Sequence, residues 1–421
     1  MFVMCFLTPA AALEYPDVTR AGSAYLYNIT GDTLIYTKNS DTLIYPGPTV
    51  KLMTAAIAID LLGNALDREI TIDRSMIRGV TGNNINLQNG EVITVGQLLN
   101  ALIIGGSNDA ANVLAIAAAG SVDAFIYIMN EKAAELGAAK TVYTNVTGVH
   151  NPDMVTTISD TAKVALYVHQ YTVFKEIARL EYFIIPQTNK SRERKIYNRN
   201  YFIATNAEYK YKSNSIYGMN AGSTLEAGYC VTATAIHDNS DYLCIIMGAE
   251  SDEDYIYSYV ECANLLSWAY KNFSYKTVLS TSEVICEIPV KLSANLDYIA
   301  ILPARKIDLY LPNDIDIESE VQFSYVLNKK ELIAPVSEGE VVGVLTVLYD
   351  ESVLGRIDLI IKTNVPRNMW LYVESVAVSI FTSRQFIGAV VAVAAIFVIY
   401  IFANAYIRGR RIKQNKRGKP R

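Results

Sequence analysis

Hydrophobic and polar positions follow two different periods along the first two thirds of the chain. Ala24–Tyr36 alternates in the manner of two strands around a Thr-Gly-Asp turn. Between Pro48 and Leu62 apolar residues recur every three or four positions, which indicates a helix. Val95–Gly120 is mostly apolar and is interrupted by the sequence GGSN at residues 105–108, so we predict two helices joined by a short turn.

The pattern then continues with helices and returns to strands. We predict helices near Ser121–Leu136 and Ser159–Leu180, strands after Tyr217, and a closing helix near Asp252–Asn272. Strands at both ends of a helical segment imply an antiparallel sheet packed against helices. The expected fold class is therefore α/β (α+β), as a layered domain.

From Tyr275 to Trp370 the pattern changes to short β-rich runs separated by Gly, Pro, Asn and Asp. Such runs are typical of a small β-sandwich. The runs show no fixed period, and helical periodicity is absent from them. Leu371–Gln385, which follows, is expected to be a linker or an interfacial helix.

Phe386–Ile407 is a stretch of 22 residues without a charged side chain. As a helix it would be about 33 Å long, enough for a hydrocarbon core of about 30 Å. A buried core helix is the alternative. The segment Arg408–Arg421 carries eight basic and no acidic side chains, which favours a membrane span with a cytoplasmic tail.

The opening segment, Met1–Ala12, is apolar and ends in small residues, as the second half of a secretion signal does. It lacks a positive n-region, so either the start lies upstream or the signal is atypical. With the basic tail inside, we expect a single-pass cell-membrane protein whose main body lies outside the cytoplasm.

Length and charge narrow the classes of function. A chain of 421 residues can hold two or three domains, and 51% hydrophobic content excludes a disordered chain. The net charge is −5, and without the basic tail it is −13. A basic surface for nucleic acid on the main body is therefore not expected, and we predict no nucleic-acid partner.

Cysteine and histidine show no metal-binding pattern. His150, His169 and His237 are scattered, and the five cysteines have no metal-ligand spacing, so we expect neither a metal nor another cofactor. Cys230 and Cys244 lie in apolar runs that should pair as strands. Buried free thiols and a cross-strand disulfide both remain open for this pair.

Candidate chemistry lies first in the sequence YPGPTVKLMTAA at residues 45–56. It resembles the nucleophile segment of the serine D-alanyl-D-alanine carboxypeptidases (peptidase S11, the low-molecular-weight penicillin-binding proteins), where Ser-x-x-Lys opens a buried helix. Lys51 matches the family's lysine, the base or proton relay, and Pro48 stands where the resemblance places the serine. Pro48 also lacks the N–H that serves the family as an oxyanion donor, and losing one such donor costs about 10² to 10³ in rate. A lysine reaching outward from a helix end is the alternative for Lys51.

Two further motifs of this family are matched in frame, with their functional residues replaced. The family's Ser-x-Asn corresponds to Gly106-Ser107-Asn108, with glycine at the serine position and Ser107 expected to point elsewhere. An ordinary helix cap is the alternative. The family's Lys-Thr-Gly corresponds to residues 220–222, followed by Ser223.

The third motif would bind the substrate carboxylate through its lysine. In this chain Asn220 replaces that lysine and Ala221 replaces the threonine, while Gly222 is kept. A neutral amide supplies no point charge for a carboxylate. A plain turn or bulge glycine is the alternative for Gly222.

The segment Asn145–Met154 also resembles the family's Asn-x-x-Gly-Leu, and the ordered motifs extend over Ala24–Asn272. The resemblance, the β-rich run and the apolar segment together imply a domain organisation. It comprises a signal peptide (1–12), a β-lactamase/transpeptidase-like domain (13–274), a β-rich domain (275–370), a linker or interfacial helix (371–385), a transmembrane helix (386–407) and a cytoplasmic tail (408–421).

Three functions remain open. The first is a catalytically impaired relative that binds peptidoglycan stem peptides or envelope proteins at the outer membrane face. The second is an active carboxypeptidase with a substitute nucleophile, for which Thr49 and Thr54 are the nearby hydroxyls. The third is a structural or sensor protein of the envelope whose groove binds nothing.

Overall fold

The computed structural model describes residues 15–204, 211–349 and 352–417. The chain divides into two compact units, one of Met1–Ser274 with Tyr310–Asp314 and one of Tyr275–Leu309 with Ile315–Arg421. The predicted signal segment at residues 1–12 lies outside the described residues.

The first unit is a mixture of strands and helices. In chain order it contains β1 (Ser23–Asn28), β2 (Thr33–Lys38), α1 (Val50–Leu62), β3 (Glu69–Thr71), α2 (Arg74–Ile77), β4 (Val92–Thr94), α3 (Val95–Ile103), α4 (Asn108–Ala119), α5 (Val122–Glu135), α6 (Ile158–His169), α7 (Thr172–Ala178), β5 (Tyr182–Ile185), β6 (Arg194–Tyr197), β7 (Ile216–Thr224), β8 (Gly228–His237), β9 (Ser240–Ala249) and α8 (Tyr257–Asn272). Its main sheet has five antiparallel strands in the order β2-β1-β9-β8-β7. The predicted fold class is confirmed.

Both faces of this sheet are covered, because its central strands are apolar on both sides. On β9, Leu243, Ile245 and Met247 belong to the core formed with α1 and α3–α7. Cys244 and Ile246 belong to the core formed with α8. The strict alternation follows from the pleat, which sends successive side chains to opposite faces.

The same alternation settles the pairing of Cys230 and Cys244. Cys230 lies in the core on the side of α1, and Cys244 lies in the core on the side of α8. Both are buried free thiols, so no disulfide joins the two strands. Burial raises the pKa of the Cys230 thiol to about 11.

Some elements differ from the sequence-based expectation. The helix predicted at Ser159–Leu180 is two helices, α6 and α7, because the backbone at Tyr171 is extended. The antiparallel strand pairs β3–β4 and β5–β6 were not predicted. Their strands have only three or four residues, too few for a strand pattern to be distinguished.

The second unit is β-rich, as expected for residues 275–370. The elements of this part of the chain are β10 (Phe273–Leu279), β11 (Cys286–Lys291), β12 (Tyr298–Pro303), β13 (Ile307–Pro312), α9 (Ile317–Glu320), β14 (Val321–Leu327), β15 (Leu332–Ile333), β16 (Val341–Tyr349) and β17 (Ser352–Ile361). Six strands form one sheet in the order β14-β16-β17-β12-β11-β15, and β10 pairs with β13.

Two helices end the described chain, α10 (Met369–Phe381) and α11 (Arg384–Arg417). Within α11, Arg384–Arg411 is long and apolar enough to cross a membrane, and the apolar part is not buried in protein. It is the single continuous helix of this kind in the described ranges. A candidate membrane span therefore coincides with the apolar segment Phe386–Ile407.

Candidate functional site

A cavity of about 180 Å³ in the first unit opens where six segments of chain meet. These are the start of α1, the loop after α2, the turn before α4, the loop after α5, the turn after β6 and the end of β7. The cavity is lined by Pro48, Lys51, Gly82, Asn83, Gly106, Asn108, Thr147, Gly148, Val149, Arg199, Ala221, Gly222, Ser223 and Thr224. Seven of the eight residues singled out in the sequence thus share one cavity; Asn220 is the exception.

Pro48 lies in a buried 3-10 turn, Gly47–Thr49, that leads directly into α1. Proline suits the first turn of a helix, since its N–H would have no partner there. Its ring fills the space beneath β7, because a Cβ added at Gly222 would stand 3.1 Å from the Cβ of Pro48. The turn therefore presents ring carbons to the cavity.

The neighbouring threonine hydroxyls are turned away from the cavity. Thr49 Oγ1 donates to the carbonyl of Pro46 at 2.8 Å. Thr54 Oγ1 donates to the carbonyl of Val146 at 2.8 Å, and its side chain is fully buried. Neither residue lines the cavity, so neither is placed to substitute for a nucleophile.

Lys51 is buried one turn into the helical segment, and its Nζ donates to the carbonyl of Thr147. Burial, together with a smaller effect of the positive charge of Arg199, lowers the pKa of Lys51 to about 7. The amine is therefore poised between its charged and neutral forms near neutral pH. The outward-reaching lysine considered from the sequence does not occur.

The loop after α5 reaches Lys51 because Asn145 shapes it. Asn145 Oδ1 accepts from the backbone N–H of Thr147 at 3.1 Å and of Gly148 at 2.8 Å. Gly148 has φ +79°, and a Cβ there would stand 2.0 Å from the carbonyl oxygen of Gly47. Glycine is required here on both grounds, which accounts for the Asn-x-x-Gly spacing.

The turn before α4 has a left-handed residue, Gly106, with φ +61°. Ser107 points away from the cavity, as expected, and its hydroxyl donates to Asp109 Oδ1 at 2.5 Å. Asn108 lines the cavity, and its Nδ2 donates to the carbonyl of Thr81 at 2.7 Å. Its buried Oδ1 has no hydrogen-bond partner within the described part of the chain.

At the end of β7 consecutive residues line the cavity. Gly222 faces Pro48, and Ala221 and Ser223 also line the cavity. Asn220 lies deeper, 6% exposed, beside a β-bulge between Gly218 and Asn220. Its Oδ1 is buried without a partner among the described residues. An amide in this position adds no charge to the cavity.

Arg199 is a charged cavity residue that sequence reasoning missed. It follows β6, its backbone N–H donates to the carbonyl of Ile104 at 2.9 Å, and its guanidinium Nη1 donates to Asn83 Oδ1 at 3.0 Å. It supplies a permanent positive charge to the cavity wall. Arg199 lies between predicted elements in a polar loop, where no periodic pattern or spacing marks it.

The groups that line the cavity are suited to binding a charged ligand. It offers one permanent cation, one amine that titrates near pH 7, and the buried Oδ1 of Asn108, a free acceptor. Such groups suit a ligand with a carboxylate and amide N–H groups. The described residues contain no group of three or more His, Cys, Asp or Glu side chains that could hold a metal ion.

Comparison with known proteins shows which chains this one is similar to. The chain is 24% identical over 319 residues to the D-alanyl-D-alanine carboxypeptidase DacF of Bacillus subtilis, a match covering 74% of this chain and 77% of DacF. It is 29% identical over 253 residues to a D-alanyl-D-alanine carboxypeptidase of a Streptomyces strain, covering 58% of this chain and 86% of the relative. Penicillin-binding protein 5 from Haemophilus influenzae superposes with a TM-score of 0.63 at 23% identity, covering 84% of this chain and all of that one.

Two family models match different parts of the chain. The model for the penicillin-binding protein 5 C-terminal domain matches residues 273–367. The model for D-alanyl-D-alanine carboxypeptidase (peptidase S11) matches residues 10–251, more than half of the chain. The chain belongs to the D-alanyl-D-alanine carboxypeptidase family of cell-wall proteins.

Proposed function

We propose that this protein is a membrane-anchored member of the family that binds the carboxyl-terminal part of peptidoglycan stem peptides without cleaving them. The observation that carries the proposal is Pro48, whose ring lies where the family motif has its serine. The cavity around it keeps Lys51, Asn108 and Gly222. A hydroxyl nucleophile and one N–H donor are missing from an otherwise formed groove.

Electrostatics support binding of a terminal carboxylate. The family's motif lysine is replaced by Asn220, which lies outside the cavity lining. Arg199 is in the lining, and its guanidinium can form charge-assisted hydrogen bonds with a carboxylate. Lys51 adds a second positive charge below about pH 7. We infer that Arg199 takes over the anchoring of the ligand's carboxylate.

The active-enzyme alternative has less support. It requires a hydroxyl beside Lys51, and those of Thr49 and Thr54 are buried in hydrogen bonds to backbone carbonyls. Ser223 and Thr224 line the cavity at the end of β7. The family pattern, however, provides no general base to activate either hydroxyl.

A labelled β-lactam tests the loss of acylation. We expect no covalent adduct by intact mass when the full chain in detergent is incubated with it, because the cavity lacks a nucleophile. The matched variant combines Pro48→Ser, Gly106→Ser, Asn220→Lys and Ala221→Thr. We expect this variant to form a covalent adduct slowly, since position 48 regains a serine hydroxyl and a backbone N–H.

The serine at position 106 would be strained. A non-glycine residue in the left-handed region costs about 1 kcal/mol, and a Cβ at Gly106 would lie 3.3 Å from Arg199 Cδ. An adduct on the unmodified chain would refute the proposal. No adduct on the restored variant would show that the groove is remodelled beyond these positions.

Binding is tested with a muropeptide that ends in D-alanyl-D-alanine, by calorimetry together with an assay for released D-alanine. We expect binding without release. Arg199→Gln should weaken binding about tenfold to a hundredfold, because a charged hydrogen bond is lost. Arg192→Gln, an exposed arginine outside the cavity lining, is the control and should bind normally. If the unmodified chain does not bind, the structural or sensor function is favoured.

A further inference from the structure

The outer strand β14 of the six-stranded sheet has one free edge. It pairs with β16 along its whole length, and at its other side the described chain places no strand. Its seven residues, VQFSYVL, contain no charged side chain, proline or glycine. A long uncharged edge strand is what natural proteins usually avoid, because it can pair with another chain.

Aromatic side chains near this edge are partly exposed. Phe323 and Tyr325 are cross-strand partners of Val347 and Leu345 on β16, both fully buried, and so share their face of the sheet. Phe323 is nevertheless 39% exposed and Tyr325 45% exposed. The apolar face thus continues to the outer strand, where both rings stay partly exposed and the Tyr325 side chain is hydrogen-bonded to Cys286 of β11.

Charges at the two ends of β14 have opposite sign. Before it, α9 and its cap carry Asp316, Glu318 and Glu320. After it come Lys329, whose Nζ lies 3.6 Å from Glu340 Oε1, and Lys330, with Glu331 next in the sequence, so the net charge of residues 329–331 is positive. An antiparallel copy of the strand, laid along the free edge, would place the acidic end of one against the basic end of the other. The two ends of the strand are therefore complementary to each other in charge.

We propose that β14 is a self-association edge, at which two copies of this chain pair their β14 strands antiparallel. In the register centred on Ser324, Ser324 of one copy faces Ser324 of the other. Phe323 then faces Tyr325 across the twofold axis, which forms two aromatic pairs on the partly exposed face.

The association is closed and weak. A twofold pairing uses the free edge of β14 in both copies, and the opposite edge strand, β15, has two residues, too short to propagate a sheet. One pair of seven-residue strands buries less than the roughly 1,200 Å² typical of stable interfaces. We expect a reversible dimer that depends on protein concentration.

Cysteine crosslinking of the full chain in detergent tests the register. The background replaces Cys5 and Cys286 by serine, since Cys286 is partly exposed. Under mild oxidation, Ser324→Cys should form a disulfide dimer about a hundredfold faster than Gln322→Cys or Val326→Cys. The reason is that the same residue of the two copies comes face to face only where it lies on the twofold axis. The double variant Gln322→Cys/Val326→Cys should crosslink as fast as Ser324→Cys, since these two positions face each other.

A second variant tests the contact without oxidation. Ser324→Lys places two like charges face to face and should shift the full chain to monomer in sedimentation at concentrations where the unmodified chain dimerises. Val353→Lys, an exposed apolar position on β17, is the control and should leave the dimer intact. Equal crosslinking rates for all single cysteines, a monomer at every concentration, or a dimer unaffected by Ser324→Lys would each overturn the proposal.

Discussion

Pro48 fits its position for reasons that are independent of catalysis. The residue stands in a 3-10 turn that precedes a helix, where a missing N–H carries little structural cost. Its ring is packed beneath Gly222. Lys51, three residues later, has no comparable structural justification, because a buried amine opposes folding unless it is paired with an acid. We therefore expect Pro48 to be tolerated in the folded state at little cost and Lys51 to destabilise it.

Replacing Lys51 by methionine should stabilise the protein by about 1 to 3 kcal/mol at pH 7. The gain from removing a buried amine exceeds the loss of the hydrogen bond to the carbonyl of Thr147. The measurement is chemical unfolding of the full chain in detergent, followed by circular dichroism. Lys190→Met, at an exposed position, should change stability by less than about 0.5 kcal/mol.

The Lys51→Met variant should also change how the unfolding free energy depends on pH. The pKa of Lys51 is about 7 in the folded chain and near 10.5 when unfolded, so between these values the unfolded state binds the extra proton. The unfolding free energy of the unmodified chain should therefore rise with pH from about 7 to about 10, relative to Lys51→Met, by roughly 1.4 kcal/mol per unit. A parallel pH dependence of the two proteins would contradict a buried, neutral Lys51.

At the scale of elements, the N-terminus of α4 organises one wall of the cavity. The Asp109 carboxylate accepts from the backbone N–H groups of Ile85 at 3.1 Å and of Leu87 at 3.0 Å. It also accepts from the backbone N–H of Ala110 at 2.9 Å. The loop it holds includes Gly82 and Asn83, which line the cavity. A helix N-terminus favours such a negative charge.

Asp109→Asn should lower the unfolding free energy by about 1 to 3 kcal/mol, because an amide N–H₂ replaces one oxygen that accepts backbone hydrogen bonds. Muropeptide affinity should fall with it as the loop loosens. The matched control is Asp123→Asn, an exposed residue in the first turn of α5, which should cost at most about 1 kcal/mol. Equal effects of the two changes would mean that Asp109 acts only on the helix dipole.

At the scale of the whole molecule, we propose that the apolar helix Arg384–Arg411 anchors the full chain in a membrane. Deleting residues 384–421 should release the protein from membranes, because it removes the apolar helix Arg384–Arg411. Fractionation followed by an alkaline carbonate wash measures this. Deleting only 412–421 keeps that apolar helix, and this control should stay in the membrane. Release of the full chain by the carbonate wash would contradict the proposed membrane anchor.

Much of the fold followed from local pattern. The buried helix at residues 50–62, the paired helices around residues 105–108 and the apolar strands β8 and β9 are each apolar and long enough for the type of element to be predicted. The short strand pairs β3–β4 and β5–β6 could not be predicted in this way, since three or four residues are too few to show a strand pattern. The break between α6 and α7 is likewise not marked by glycine or proline.

The sequence by itself determined the family frame and the changes within it, since Pro48, Gly106 and Asn220 are read directly against ordered motifs. Tertiary structure decided the rest, because burial and distance depend on segments far apart in the chain. It brought Arg199 to the cavity wall, left Asn220 out of the lining, and turned Cys230 and Cys244 to opposite faces of one sheet. It also lowered the pKa of Lys51 through burial.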